Sequence, residues 1–119
     1  MLEGRFDQAV AHDSVVRRML QPDPPTAIFA LSNMMTLGVL MGLKGLGLFV
    51  PADVSVIGID DLDFAQIMNP PLTVVAAPVL DMARASIAAL LDEIGRKMPP
   101  TGHRQVLTPR LVVGNPARA

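Results

Sequence analysis

Two adjacent carboxylates, Asp60 and Asp61, follow the apolar run Val54–Ile59. Ser32 and Asn33 close an earlier apolar run, Thr26–Leu31. An ionised Asp offers two oxygens that only accept hydrogen bonds, whereas Ser and Asn both donate and accept. That set suits a ligand rich in hydroxyl groups. Neighbouring side chains of an extended chain point opposite ways. One of Asp60 and Asp61 can therefore face a cleft while the other caps the following turn. Ser32 and Asn33 are also good helix caps. At both places ligand contact and capping stay open. Phe6, in Gly4-Arg5-Phe6-Asp7, either staples the start of a helix or lies flat on the apolar face of a sugar ring, and the staple is the simpler reading.

Other chemistries find no support. Asp60, Asp61 and Asp63 suggest calcium, but the twelfth loop positions counted from Asp60 and Asp61 are Pro71 and Leu72, where an acid is needed. His12 and His103 lie far apart and show no metal-ligand spacing. Cysteine is absent, which excludes thiolate metal sites, disulfides and a Cys nucleophile. No phosphate-binding glycine loop, nucleophile elbow or HExxH motif is present. Neighbours on a strand cannot easily flank one glycosidic bond, so Asp60 and Asp61 do not read as a hydrolase pair. No catalytic residue, metal or cofactor is expected, and the chain does not read as an enzyme.

The elements that must position these residues follow from punctuation and periodicity. Residues 7–20 read as a helix capped by Asp7, with Arg17 and Arg18 as its solvated end. Gln21–Pro25 breaks it. The continuous apolar run Thr26–Leu31 reads as a strand buried on both faces. Met34–Leu46 reads as a helix ending at Gly47. Lys44 is its only charge, and Gly38, Gly42 and Gly45 each cost about 1 kcal/mol relative to Ala. Apolarity all round and close-approach glycines imply burial on two sides, against its own sheet and against a second subunit or another part of the protein. Val54–Ile59 and Leu72–Ala76 read as strands separated by one or two helical turns at Leu62–Met68. Pro78 opens a long helix, Val79–Lys97, with the stripe Leu80, Ala83, Ile87, Leu90, Leu91 and Ile94. Two short strands, His103–Leu107 and Arg110–Val113, complete the order. Alternation of strand and helix means an α/β fold with a parallel sheet flanked by helices. Ligands of such sheets bind beyond the carboxyl ends of the strands.

Composition narrows the function classes. The 119-residue chain is half apolar, carries a formal net charge of −1, and contains four Phe but no Tyr or Trp. It lacks the basic patch that grips nucleic-acid phosphates and the aromatic platform that stacks bases. Its longest apolar run, around Met34–Leu43, is too short to span a bilayer, and residues 1–20 lack the apolar core of a signal peptide. A cytoplasmic protein is the default expectation.

Two motifs in order and spacing carry a resemblance. Pro25–Gly38 reads PTAIFALSNMMTLG, and Val50–Val74 reads VPADVSVIGIDD followed by PPLTV. This pattern resembles the lactose-repressor/galactose-repressor family of bacterial transcription regulators, and it extends more weakly through Pro78–Ala119 and back to Gly4. The resemblance implies part of a type I periplasmic-binding-protein-like effector domain, built from two α/β subdomains around an effector cleft. Residues 1–72 would belong mostly to one subdomain, and residues 73–119 would be a crossover helix with returning strands. The helix-turn-helix that binds operator DNA in that family would lie outside this chain. Asp60 matches the family's effector-binding Asp, which favours ligand contact there and leaves Asp61 as the cap. Ser32 falls where the family often has Asn, and Asn33 takes the next position. Phe6 matches an aromatic that packs on the effector. Ala77 falls where many members have Gln. The resemblance also makes the helix at Met34–Leu46 part of a homodimer interface, through Met34, Met35, Leu37, Gly38, Met41, Gly42 and Gly45. It implies a small-molecule effector of the sugar class. A sugar-binding protein of a transport system shares the fold and is the alternative.

Overall fold

Helix α1 (Gln8–Met19) begins where Asp7 leaves extended backbone and its carboxylate accepts the Val10 N–H at 2.9 Å. In the computed structural model residues 1–60, 63–95, 102 and 104–114 are described, without the side chains of Asp63 and Phe64. After α1 come β1 (Ala27–Phe29), α2 (Asn33–Gly45), β2 (Ser55–Ile59), α3 (Asp63–Ile67), β3 (Thr73–Ala76), α4 (Val79–Gly95) and β4 (Arg110–Val112). The strands form one sheet in the order β1-β2-β3-β4. β1 pairs parallel with β2, Ile28 opposite Val56, and β2 pairs parallel with β3, Gly58 opposite Val74. The expected α/β architecture is present.

The stop of α2 has a local cause. Leu46 caps α2, and Gly47 follows at φ +73, where its N–H donates to the Lys44 carbonyl at 3.0 Å while Leu48 N–H donates to Leu43 at 3.0 Å. Glycine carries no Cβ penalty in that left-handed conformation. Helices α1 and α2 lie side by side and run parallel. Gly38 of α2 sits against Gln8 and Ala11, and one turn on Gly42 sits against His12 and Val15.

The side chains of β2 and β3 alternate. Val56, Gly58, Val74 and Ala76 are buried, and their neighbours are half-buried. The buried face meets α2, where a Cβ on Gly58 would stand 2.9 Å from Thr36 Oγ1. Val15, Leu43, Val54, Ala65, Leu72 and Val74 complete this core. Strand β1 departs from the expected two-sided burial, since Ala27 is exposed and Phe29 is 55% exposed. Continuous apolarity marks a strand that can be covered twice, and this chain covers it once.

Residues group into two compact units, Met1–Ala76 with Leu111–Ala119, and Ala77–Arg110. Within the second, α4 buries no residue, and Leu80, Ile87, Leu90, Leu91 and Ile94 are all exposed. Residues 104–107 are not a strand, contrary to expectation. Apolar residues such as Val106 and Leu107 form a strand only beside an open ladder. His103, Asp61 and Lys97 lie outside the described residues. Among the described residues no helix is long and apolar enough to cross a membrane.

Candidate functional site at the carboxyl ends of the strands

Strands β1 and β2 deliver their tips side by side. Phe29 pairs with Ile57, and three residues further along each chain come Ser32 and Asp60. Parallel neighbours lie about 4.8 Å apart, so these two positions share one edge of the sheet. Ser32 is half-buried in extended backbone and caps α2, its hydroxyl oxygen accepting Met35 N–H at 3.2 Å. Its carbonyl accepts Thr36 N–H at 2.9 Å and the Thr36 hydroxyl at 2.7 Å. Capping therefore uses the hydroxyl as an acceptor and leaves its proton for another group. Asn33 opens the first turn of α2 and is exposed.

Asp60 is half-buried and takes φ +77, while its N–H donates to the Val75 carbonyl at 2.9 Å. Left-handed backbone is tolerated by Asp better than by most residues, yet still carries a cost. Asp61, assigned to capping by the sequence, lies outside the described residues.

The turn before α1 reaches the same end. Gly4 sits against Met35 in the first turn of α2, and Asp7 N–H donates to the Gly4 carbonyl at 2.9 Å. Between them Arg5 and Phe6 both take positive φ, +48 and +54. Phe6 is 71% exposed, so it does not form the expected staple. The parallel packing of α1 and α2 thus places Phe6, Ser32, Asn33 and Asp60 at one end of this unit. Left-handed backbone at Phe6 and Asp60 is the feature that sequence reasoning missed, and only the short polar side chain of Asp60 and the neighbouring Gly4 hinted at it.

The residues assigned to a dimer interface divide in two. Met34 and Met41 are 45% and 49% exposed, and Gly45 is exposed too, while Met35 and Leu37 are half-buried. Gly38 and Gly42 are buried against α1 of the same chain. The close-approach glycines serve an intrachain helix pair, which corrects their assignment to contact between subunits. One further expectation changes, that for Arg18, whereas His12 keeps to its expected place. His12 pairs with Asp13 at 3.0 Å near the surface. Arg18 is not a solvated helix end, because its Nη2 donates to the Asp23 carbonyl at 2.9 Å and its Nη1 is buried without a partner among the described residues. Among the described residues no three His, Cys, Asp or Glu gather in a way that could hold a metal ion.

Comparison with known proteins agrees with this geometry. Residues 3–115 match the model of the periplasmic binding protein-like domain. The HTH-type transcriptional repressor CytR of Escherichia coli K12 is 39% identical over 98 residues, covering 82% of this chain and 28% of CytR. The HTH-type transcriptional regulator MalR of Streptomyces coelicolor is 45% identical over 89 residues, covering 74% of this chain and 25% of MalR. The repressor PurR of Haemophilus influenzae is 33% identical over 117 residues, covering 95% of this chain and 34% of PurR. The chain therefore spans between a quarter and about a third of the length of these relatives. Among solved structures, a LacI family transcriptional regulator from Arthrobacter sp. FB24 in complex with lactose superposes with a TM-score of 0.78 at 25% identity, over 94% of this chain and 42% of that one. A LacI family regulator from Enterococcus faecalis V583 with bound ribose gives a TM-score of 0.79, also at 25% identity, over 95% and 42%. With its parallel sheet, its tips at Ser32 and Asp60 and these relatives, the chain belongs to the periplasmic binding protein-like domain family of LacI-type transcriptional regulators, and it covers part of the effector domain.

Proposed function

We propose that this chain is the effector-sensing and dimerisation part of a transcriptional repressor that responds to a sugar or sugar derivative. The observation that carries this is Asp60. Asp60 is half-buried and held in left-handed backbone at the sheet's carboxyl edge, on the strand tip neighbouring that of Ser32. Asp60 accepts from ligand hydroxyls, and Ser32 and Asn33 add polar contacts. The exposed Phe6 ring covers the apolar face of the sugar. The lactose and ribose held by two structural neighbours support the ligand class. No step of this role breaks a covalent bond, so the protein works as a binding module, and a regulator that acts on operator DNA works in the cytoplasm.

In the complete regulator, effector binding shifts two subdomains between closed and open forms, and that shift reaches the operator through a helix-turn-helix domain outside this chain. The homodimer forms through exposed Met34, Met41 and Gly45 with half-buried Leu37 of α2. The test is Asp60→Ala in the full-length regulator, with operator binding followed during titration by a panel of sugars. The expected result is unchanged operator affinity and an effector midpoint raised by about a hundredfold, the worth of a lost charged hydrogen bond at about 3 kcal/mol. An unaltered midpoint would remove Asp60 from the site.

A further inference from the structure

Among the described residues Thr36 is the one buried polar side chain, with 0% exposure. It lies at the start of α2, where threonine is a poorer helix former than alanine. A hydroxyl that bonds back one turn also weakens a helix slightly. The helix itself therefore gains nothing from Thr36. The gain lies in what the side chain touches. Its hydroxyl donates to the Ser32 carbonyl at 2.7 Å, and its N–H donates to the same oxygen at 2.9 Å. Its two branches fill the space left open by Gly58, where a Cβ would stand 2.9 Å from the oxygen and 3.0 Å from the methyl. Threonine in a helix divides between two rotamers, and packing on Gly58 holds the one that reaches Ser32. Gly58 stands two residues before Asp60 on β2, and Ser32 lies at the neighbouring tip.

From these contacts we infer that Thr36 is a positioning residue of the effector site and acts through Ser32. The inference rests on the reading of Ser32 and Asp60 as effector contacts. Two donors on one carbonyl hold the peptide plane that follows Ser32. The Ser32 side chain is held from the other side, since its oxygen accepts Met35 N–H at 3.2 Å. A Ser32 fixed in this way presents its remaining proton without having to be ordered by the ligand. Preorganisation of this kind raises affinity by removing an ordering cost. Thr36 itself is fully buried and touches no ligand.

The test uses the full-length regulator, with operator binding followed during titration by a sugar panel that includes ribose and lactose. Thr36→Val keeps the shape against Gly58 and removes the donor. The expected result is unchanged operator affinity and an effector midpoint raised by about fivefold, the worth of one neutral hydrogen bond. Thr36→Ser keeps the donor and removes the methyl. It should melt lower and yet respond to effector as the unsubstituted protein does. A merely structural residue would lower stability and response together. In a Ser32→Ala background Thr36→Val should add nothing, because the group it positions is gone. An unaltered midpoint in Thr36→Val beside a raised one in Asp60→Ala overturns this inference and leaves the site standing. So does a response weakened equally by Thr36→Val and Thr36→Ser. An unaltered midpoint in Asp60→Ala removes the site, and the role of Thr36 with it.

Discussion

Gly58 and Thr36 meet where the sheet touches α2: a Cβ on Gly58 would stand 2.9 Å from Thr36 Oγ1 and 3.0 Å from its methyl. Thr36 is fully buried, and its hydroxyl is committed to the Ser32 carbonyl at 2.7 Å. It cannot swing away without breaking a buried hydrogen bond. The contact joins the core to the site, because the same carbonyl fixes the residue that caps α2. Gly58→Ala is therefore expected to destabilise the fold by about 1–3 kcal/mol, the usual penalty of overpacking. Urea denaturation followed by circular dichroism measures it, and an unchanged midpoint would mean that α2 moves off the sheet freely.

The glycines of α2 separate by what lies over them. Alanine gains about 1 kcal/mol over glycine in a helix interior. At Gly42 a Cβ meets a Val15 methyl at 2.5 Å and the His12 carbonyl at 3.2 Å, whereas at Gly45 it meets nothing within 4 Å. Gly45→Ala is expected to raise stability by up to about 1 kcal/mol, and Gly42→Ala to lower it as α1 and α2 are forced apart. Thermal melts of the two variants should move in opposite directions. If both rise, the helices are not held at this separation.

Much of this layout was legible in residue types. Asp7 and Ser32 announced helix starts, Gly47 announced a stop, and the runs ending at Leu31 and Ile59 announced two strand tips on one side of a parallel sheet. The partner of a close-approach glycine was not legible. Gly38 and Gly42 report that some backbone comes near, and nothing local says whether it belongs to α1 or to another subunit. Strand formation at 104–107 failed for a similar reason, since a strand needs a free ladder that no local pattern supplies. The conformation of Asp60 was hidden because Asp adopts both extended and left-handed backbone. Phe6 was misjudged because a staple depends on the entry angle of the chain, which Arg5 and Phe6 set with positive φ.

At Asp60 stability and function are expected to oppose each other. Strained backbone at a binding residue is retained where the side chain serves the ligand. Asp60→Gly relieves the cost of φ +77, worth up to about 1 kcal/mol, and removes the carboxylate. The variant should melt higher while its sugar response weakens as far as in Asp60→Ala. Calorimetry beside effector titration reads both quantities. A lower melting temperature would show that the carboxylate holds the turn, and would recast Asp60 as a structural residue.

Two leucine-class truncations test how far each unit is consolidated. Leu43 is fully buried in the core beneath α1 and the sheet, and Ile87 on α4 is 59% exposed. Removing a buried Leu side chain costs about 2–5 kcal/mol through lost transfer energy and the cavity left behind. An exposed apolar residue has neither term to lose, so its truncation should fall within about 0.5 kcal/mol. Leu43→Ala is thus expected to lower the denaturation midpoint sharply, and Ile87→Ala to leave it unchanged. In a complete effector domain the second result should reverse, since an apolar stripe along a whole helix is stabilising only against a covering surface. A large loss from Ile87→Ala in the present chain would show that α4 is already covered in solution, by another part of the chain or by a second copy, and dilution would separate the two.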